Sequence, residues 1–117
     1  MLQYPTSPLN AHLTDWWHQR HRELIALAQK GTPRYVYSAA VLRRQARALL
    51  QTGVFGRVLY AMKANPHPGV LRTMQEEGLG FECVSPAEIK RILEICPGVD
   101  RQKLLFTPNF VPREEYA

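Results

Sequence analysis

The hydrophobic pattern of the chain is clearest at residues 58–62, where five apolar side chains follow one another with no polar residue between them. A run without polar and apolar alternation is typical of a strand that is covered on both faces, as in parallel sheets packed under helices. Short runs at residues 79–84 and 103–107 predict two further strands. We therefore expect a buried, parallel sheet.

Apolar residues at helical spacing predict helices before and between these strands. The predicted helices cover residues 14–30, 39–51, 68–77 and 86–96, and a further helix begins near Arg113. Pro68 suits the first turn of its helix, and Ser85 with Glu88 forms a capping box before the next one. Strands that alternate with helices in this way imply right-handed parallel crossovers, so the fold class is α/β.

The region before the α/β pattern has a different organisation. Pro5 and Pro8 predict an irregular start, and the first predicted helix follows it. Residues 35–37 are β-prone and predict a short β segment before the second helix. We therefore expect an N-terminal extension with one helix over residues 1–34 and an α/β region over residues 35–117.

Two glycines separate the helix at 68–77 from the second strand. Gly78 and Gly80 look like half of a dinucleotide-binding fingerprint, but they follow a helix and enter a strand. The phosphate-binding loop has the reverse order, strand before helix. We therefore interpret these glycines as a helix cap and a tight turn.

Composition excludes several classes of protein. Of the 117 residues, 45% are hydrophobic and 21% are charged, which is ordinary for a globular domain. No apolar run approaches the roughly 20 residues of a membrane helix. The first residues lack the basic start and apolar core of a secretion signal. We expect a cytoplasmic protein without a membrane partner.

The net charge of +5 and the pI of about 9.6 raise the question of nucleic-acid binding. The bases cluster on helices, as at Arg43, Arg44 and Arg47, without interleaved exposed aromatics or a recognisable binding motif. Such a run is usually a solvated helix face, so we expect no nucleic-acid partner. Cys83 and Cys96 have no second pair for a metal site, and we expect two small buried hydrophobic residues and no metal.

A single lysine, Lys63, closes the first buried strand and is followed by a loop. Ligands bind at the carboxyl ends of the strands in α/β sheets and barrels, because the loops and helix N-termini that follow the strands gather there. Lysine can also form an imine with a carbonyl group. A lysine that ends an apolar strand is more often a solvated gatekeeper against edge pairing, so its position alone assigns no role.

Four segments around Lys63 carry a family resemblance. They are TPRYVY (residues 32–37), YAMKANP (60–66), GLGFECVS (78–85) with Glu88, and LFTPN (105–109). Their order and spacing resemble the barrel domain of the pyridoxal-phosphate-dependent amino-acid decarboxylases, and among them the diaminopimelate decarboxylases most closely. The resemblance covers the chain from about residue 32 to its end.

The resemblance implies a partial (β/α)8 TIM-type barrel. Such a barrel needs about 250 residues, so the chain would be an N-terminal portion with about three of the eight βα units, inactive by itself. The segment at 35–37 would pair within a C-terminal β-domain, and the full-length enzyme would be a homodimer. The implied reaction is decarboxylation of meso-2,6-diaminopimelate to L-lysine, in lysine biosynthesis. Ornithine, arginine or carboxynorspermidine decarboxylation, amino-acid racemisation and non-catalytic cofactor binding stay open.

The resemblance also assigns site residues. Lys63 would hold pyridoxal 5'-phosphate covalently, while Ala61 and Asn65 flank it and shape the cofactor pocket. Glu82 stands where the family usually has an aspartate near the cofactor, and its longer side chain leaves its detailed role open. A rim carboxylate paired with a surface base is the other interpretation of Glu82.

Overall fold

The computed structural model describes residues 16–109 and 112–116, which belong to two compact units, 1–41 and 42–117. The helices are α1 (Trp16–Gln19), α2 (His21–Gln29), α3 (Ala39–Leu50), α4 (Pro68–Glu76) and α5 (Pro86–Ile95). The strands are β1 (Leu59–Ala61), β2 (Gly80–Cys83) and β3 (Leu104–Phe106). Short 3-10 turns cover Met62–Ala64, Arg101–Lys103 and Arg113–Tyr116. The predicted boundary between residues 34 and 35 stays a prediction.

The first predicted helix is divided into α1 and α2 at Arg20, whose backbone leaves the helical region. The ring of His21 donates to the carbonyl oxygen of His18 at 2.9 Å. A side chain that takes up a helical carbonyl competes with the backbone ladder at this point. The irregular start at residues 1–13 and the first two predicted helical residues lie outside the described residues.

The predicted β segment at residues 35–37 is wrong: these residues form no strand. Tyr35 is 93% exposed. A β-prone run needs a partner strand for its backbone hydrogen bonds, and no described strand pairs with this one. Strand propensity alone is therefore not sufficient to make this segment a strand.

The three predicted strands are confirmed as one parallel sheet in the order β1-β2-β3. Leu59 aligns with Gly80 and Ala61 with Glu82, while Cys83 aligns with Phe106. Each strand is shorter than predicted. The first one stops at Ala61 because the chain turns into the 3-10 turn at Met62–Ala64.

The core of the second unit lies where α4 and α5 cover the sheet. The largest side chains that are almost wholly buried are Phe81, Met62, Leu71, Ile92, Cys83 and Cys96. Burying an apolar side chain of the size of Phe81 or Ile92 contributes about 1.5–3 kcal/mol. The prediction that both cysteines are small buried residues is confirmed.

The two glycines before the second strand have different roles. Gly78 follows α4 with φ +89°, a left-handed conformation that suits a helix C-terminus, so the predicted cap is confirmed. Gly80 lies inside β2 rather than in a turn. A side-chain carbon there would overlap the carbonyl oxygen of Lys103 and a methyl group of Leu59. Gly80 therefore allows the close approach of the neighbouring backbone.

Arginines of α3 pair with acidic residues at the end of α4. Arg47 Nε lies 2.5 Å from Glu77 Oε2, and Arg43 lies 3.3 Å from Glu77 and 2.6 Å from Glu76. The side chain of Glu77 is only 7% exposed. Part of the basic face predicted as solvated is therefore paired with acidic residues, although Arg43 and Arg47 stay partly exposed.

Candidate functional site at the carboxyl edge of the sheet

Lys63 lies in the 3-10 turn that directly follows β1, at the carboxyl end of the parallel sheet. The preceding residue, Met62, is 1% exposed and fixes the turn in the core. The Lys63 side chain is exposed, and its nitrogen has no hydrogen-bond or ion-pair partner within the described part of the chain. The turn is thus anchored, while the amine is left accessible.

Glu82 lies on the neighbouring strand at the same edge. It is aligned with Ala61, two residues before Lys63, and is half-buried. The hydroxyl of Thr107 donates a hydrogen bond to Glu82 Oε1. The Thr107 amide donates to the carbonyl oxygen of Cys83 at 2.9 Å, which extends the pairing of β2 and β3. Among the described residues Glu82 is therefore held by a hydroxyl and forms no ion pair with a base.

Asn65 fixes the loop that follows Lys63. Its side-chain oxygen accepts a hydrogen bond from the His67 amide at 3.0 Å, an Asx turn. His67 Nδ1 in turn accepts from the Gly69 amide at 3.1 Å and caps α4. The Tyr60 hydroxyl makes a long contact of 3.4 Å with the carbonyl oxygen of Asn65. The role of Asn65 in this structure is to shape the turn.

The structure brings the four predicted site residues to one edge of the sheet. Ala61, Lys63 and Asn65 follow one another at the end of β1, and Glu82 is at the end of β2. Thr107, the partner of Glu82, is not predicted as a site residue from the sequence. Thr107 belongs to the family-like segment at 105–109, which was the one signal that could have pointed to it.

A second missed residue, Arg91, reaches this edge from α5. Its Nε and a terminal nitrogen donate to the carbonyl oxygen of Pro66 at 3.3 and 3.1 Å. The two residues are 25 positions apart in the sequence. No spacing or motif in the chain indicates this contact.

The predicted capping box at the start of α5 is confirmed. Ser85 Oγ accepts from the Glu88 amide at 3.2 Å. The Glu88 carboxylate accepts from the amide of Val84 at 2.8 Å, one residue earlier than the usual arrangement. These bonds give Ser85 and Glu88 a structural role.

The buried thiol near the site is inert. Burial, with smaller effects of Glu88 and Glu82, raises the pKa of Cys83 to about 11. A thiol nucleophile acts as the thiolate, so Cys83 is unsuited to covalent chemistry near neutral pH. No group of three or more metal-binding side chains of the His, Cys, Asp and Glu types occurs within residues 16–109 and 112–116.

Comparison with known families decides the classification. A family model described as "Pyridoxal-dependent decarboxylase, pyridoxal binding domain" matches residues 39–116. The chain belongs to this family. The match includes all four residues at the carboxyl edge of the sheet.

Curated relatives of this pyridoxal-dependent decarboxylase domain are named diaminopimelate decarboxylase. The one from Methanothermobacter thermautotrophicus is 39% identical over 98 residues, which is 80% of this chain and 22% of the relative. The one from Vibrio cholerae is 42% identical over 81 residues, 68% of this chain and 19% of the relative. The one from Haemophilus influenzae is 38% identical over 113 residues, 86% of this chain and 26% of the relative. The chain thus spans about a fifth to a quarter of the length of these relatives.

No solved structure matches the chain. Among the described helices none is long and apolar enough to cross a membrane.

The residues at the carboxyl edge fit a pyridoxal cofactor. An aldehyde cofactor needs a primary amine that it can reach, and the Lys63 nitrogen is exposed and unengaged by any described residue. The amine stands on a turn whose neighbours are buried or hydrogen-bonded.

Proposed function

We propose that this chain is the cofactor-binding part of an enzyme that decarboxylates meso-2,6-diaminopimelate to L-lysine, with Lys63 as the attachment site of pyridoxal 5'-phosphate. The observation that carries the proposal is the position of Lys63, whose free amine follows β1 at the carboxyl edge of a parallel sheet in a domain of this family. The names of the relatives support the substrate.

The cofactor, when bound, supplies an electron sink for the pair of electrons that remains when a carboxylate leaves as carbon dioxide. Lys63 contributes a primary amine that can be exchanged for the amine of the substrate. Glu82, oriented by Thr107, places a carboxylate on the neighbouring strand end, where it attracts cationic groups. Ala61 and Asn65 contribute a small side chain and a fixed turn beside the amine.

We also place the three-stranded sheet in a (β/α)8 barrel. The parallel order, the helices that follow β1 and β2, and the family support this placement. Within the described residues β1 and β3 each have one edge without a partner strand, where further strands can add. The homodimer expected from the family resemblance and the cytoplasmic location stay predictions.

The reaction is tested with the polypeptide in the form in which the cell makes it. It is supplied with pyridoxal phosphate and, separately, with meso-diaminopimelate, ornithine, arginine and carboxynorspermidine, and carbon dioxide and the amine product are measured. We expect lysine and carbon dioxide from meso-diaminopimelate, lost in Lys63→Ala and kept in Lys90→Ala. Carbon dioxide only from another amino acid, racemisation without carbon dioxide, or cofactor binding without a reaction would each contradict the proposal.

A further inference from the structure

In the loop that follows Lys63, one hydrogen-bond acceptor is paired with a residue outside the loop. The side chain of Asn65 and the ring of His67 use neighbouring amides to shape the loop. Pro66 lies between them in the loop. Its carbonyl oxygen accepts two hydrogen bonds, both from Arg91 of α5.

Arg91 is an exposed arginine that contacts a distant backbone oxygen instead of a carboxylate. Arg43 and Arg47 pair with carboxylates, whereas Arg34 and Arg57, like Arg91, donate to backbone carbonyl oxygens. Arg91 is exposed and directs two nitrogens to one backbone oxygen, at 3.3 and 3.1 Å. Two donors on one oxygen restrict the position of the guanidinium group more than a single donor would. The contact therefore joins α5 to the loop through two hydrogen bonds.

This contact is a further anchor for the turn that carries Lys63. Before Lys63, Met62 is buried in the core and anchors the turn. After Lys63, the loop is fixed locally by Asn65, and α5 reaches it through Arg91. Since the Lys63 side chain has no described partner of its own, its direction depends on the backbone that carries it.

We propose that Arg91 is a positioning residue that holds the loop after Lys63 and thereby directs the Lys63 amine toward the carboxyl edge of the sheet. The proposal rests on the proposed function, since it adds to that site the residue that orients its amine. Arg91 acts through the carbonyl oxygen of Pro66 and touches no reacting atom. A lysine at this position would offer a single point donor in place of the planar guanidinium fork.

The first measurement is the selectivity of cofactor attachment. The 117-residue chain is incubated with pyridoxal phosphate at pH 6 to 9 and reduced with borohydride. The extent of modification is measured at Lys63 and at the exposed Lys30 of the same chain, and the ratio of the two is compared between variants. We expect Arg91→Ala to lower this ratio by about tenfold, which corresponds to the loss of one charge-assisted hydrogen-bonded contact. Arg91→Lys should restore part of it, and the neighbouring Lys90→Ala should leave it unchanged.

The second measurement needs no cofactor. Hydrogen exchange of the His67 amide, which donates to Asn65, should be about fivefold to tenfold faster in Arg91→Ala, because the loop opens more often. The Glu88 amide at the start of α5 should be unchanged, which shows that the helix remains folded.

The outcomes separate this inference from the proposed function. Unchanged His67 exchange, or faster exchange with an unchanged Lys63 to Lys30 ratio, would overturn the positioning role. If native Lys63 reacts no faster than Lys30, the proposed function fails, and the exchange measurement alone decides whether Arg91 holds the loop.

Discussion

The hydroxyl of Thr107 donates a hydrogen bond to Glu82 across the carboxyl ends of β3 and β2. The bond gives the acidic residue at the candidate site a fixed partner. We expect Thr107→Val to lower the free energy of unfolding by about 1–2 kcal/mol, since a hydrogen bond to a half-buried side chain is lost. Thr107→Ser, which keeps the hydroxyl, should retain most of this free energy. Equal stability of the valine and serine variants in urea titrations would contradict the role given to the hydroxyl.

Gly80 is expected to be intolerant of any side chain. Its added carbon would overlap the Lys103 carbonyl oxygen, so Gly80→Ala must push β3 away from β2. We expect a loss of about 1–3 kcal/mol in unfolding free energy, the range for overpacked sites. Gly56→Ala is the matched control, because a side-chain carbon there would have no atom within 4 Å. A Gly80→Ala variant as stable as Gly56→Ala would show that the strands can separate at no cost.

The pairing of Glu77 with the arginines of α3 predicts a specific response to acid. Hydrogen bonds from Arg47 hold the pKa of Glu77 below its usual value, partial burial opposes this, and Arg43 adds to the lowering. A carboxyl group whose pKa is lower in the folded protein than in the unfolded protein stabilises the fold at pH values above its unfolded-state pKa of about 4.3. This stabilisation is lost as the pH falls through the pKa of the folded state. The urea midpoint of the Glu77→Gln variant should therefore lie below that of the native protein at pH 7, and the two midpoints should approach each other in acid.

The control for this experiment is Glu76→Gln, which removes a carboxylate that is 54% exposed and contacts Arg43 alone among the described bases. An exposed pair contributes little, so this variant should differ little from native at any pH. A constant difference between Glu77→Gln and native from pH 7 to pH 3 would show that the charge of Glu77 is not what stabilises the fold.

The buried thiol of Cys83 should resist modification. With a pKa raised to about 11 by burial, with additions from Glu88 and Glu82, its thiolate is scarce at pH 8. In a Cys96→Ser background we expect reaction with a disulfide reagent to be slower than with free cysteine by about two orders of magnitude, and to reach the free rate in denaturant. A native rate near that of free cysteine would mean that the strand end is open to solvent.

The sequence was sufficient for the features that depend on local pattern. The unalternating run at 58–62, the capping box at Ser85 and the glycine cap at Gly78 all predicted elements that the structure confirms. Each of these signals is contained within a few residues. The position of Lys63 at the carboxyl edge follows from the same strand signal, since a parallel strand places its last residues there.

The features that the sequence did not predict depend on contacts between distant segments. The run at 35–37 has strand propensity but no described strand to pair with, so propensity did not decide its structure. The sequence predicts a tight turn at Gly80, since the proximity of Lys103 that explains this glycine is set by the pairing of β2 with β3. The partners of Glu82 and of Pro66, Thr107 and Arg91, are each 25 residues away.

Reductive trapping is the decisive experiment for the attachment of pyridoxal phosphate to Lys63 that we propose. The chain is mixed with the cofactor at equimolar concentration and reduced with borohydride, and the modified peptides are located by mass spectrometry in the native protein, in Lys63→Ala and in Lys90→Ala. We predict one dominant adduct at Lys63 in the native protein and in Lys90→Ala, and none above background in Lys63→Ala. Adducts spread evenly over Lys30, Lys63 and Lys90, with the total unchanged in Lys63→Ala, would contradict the account.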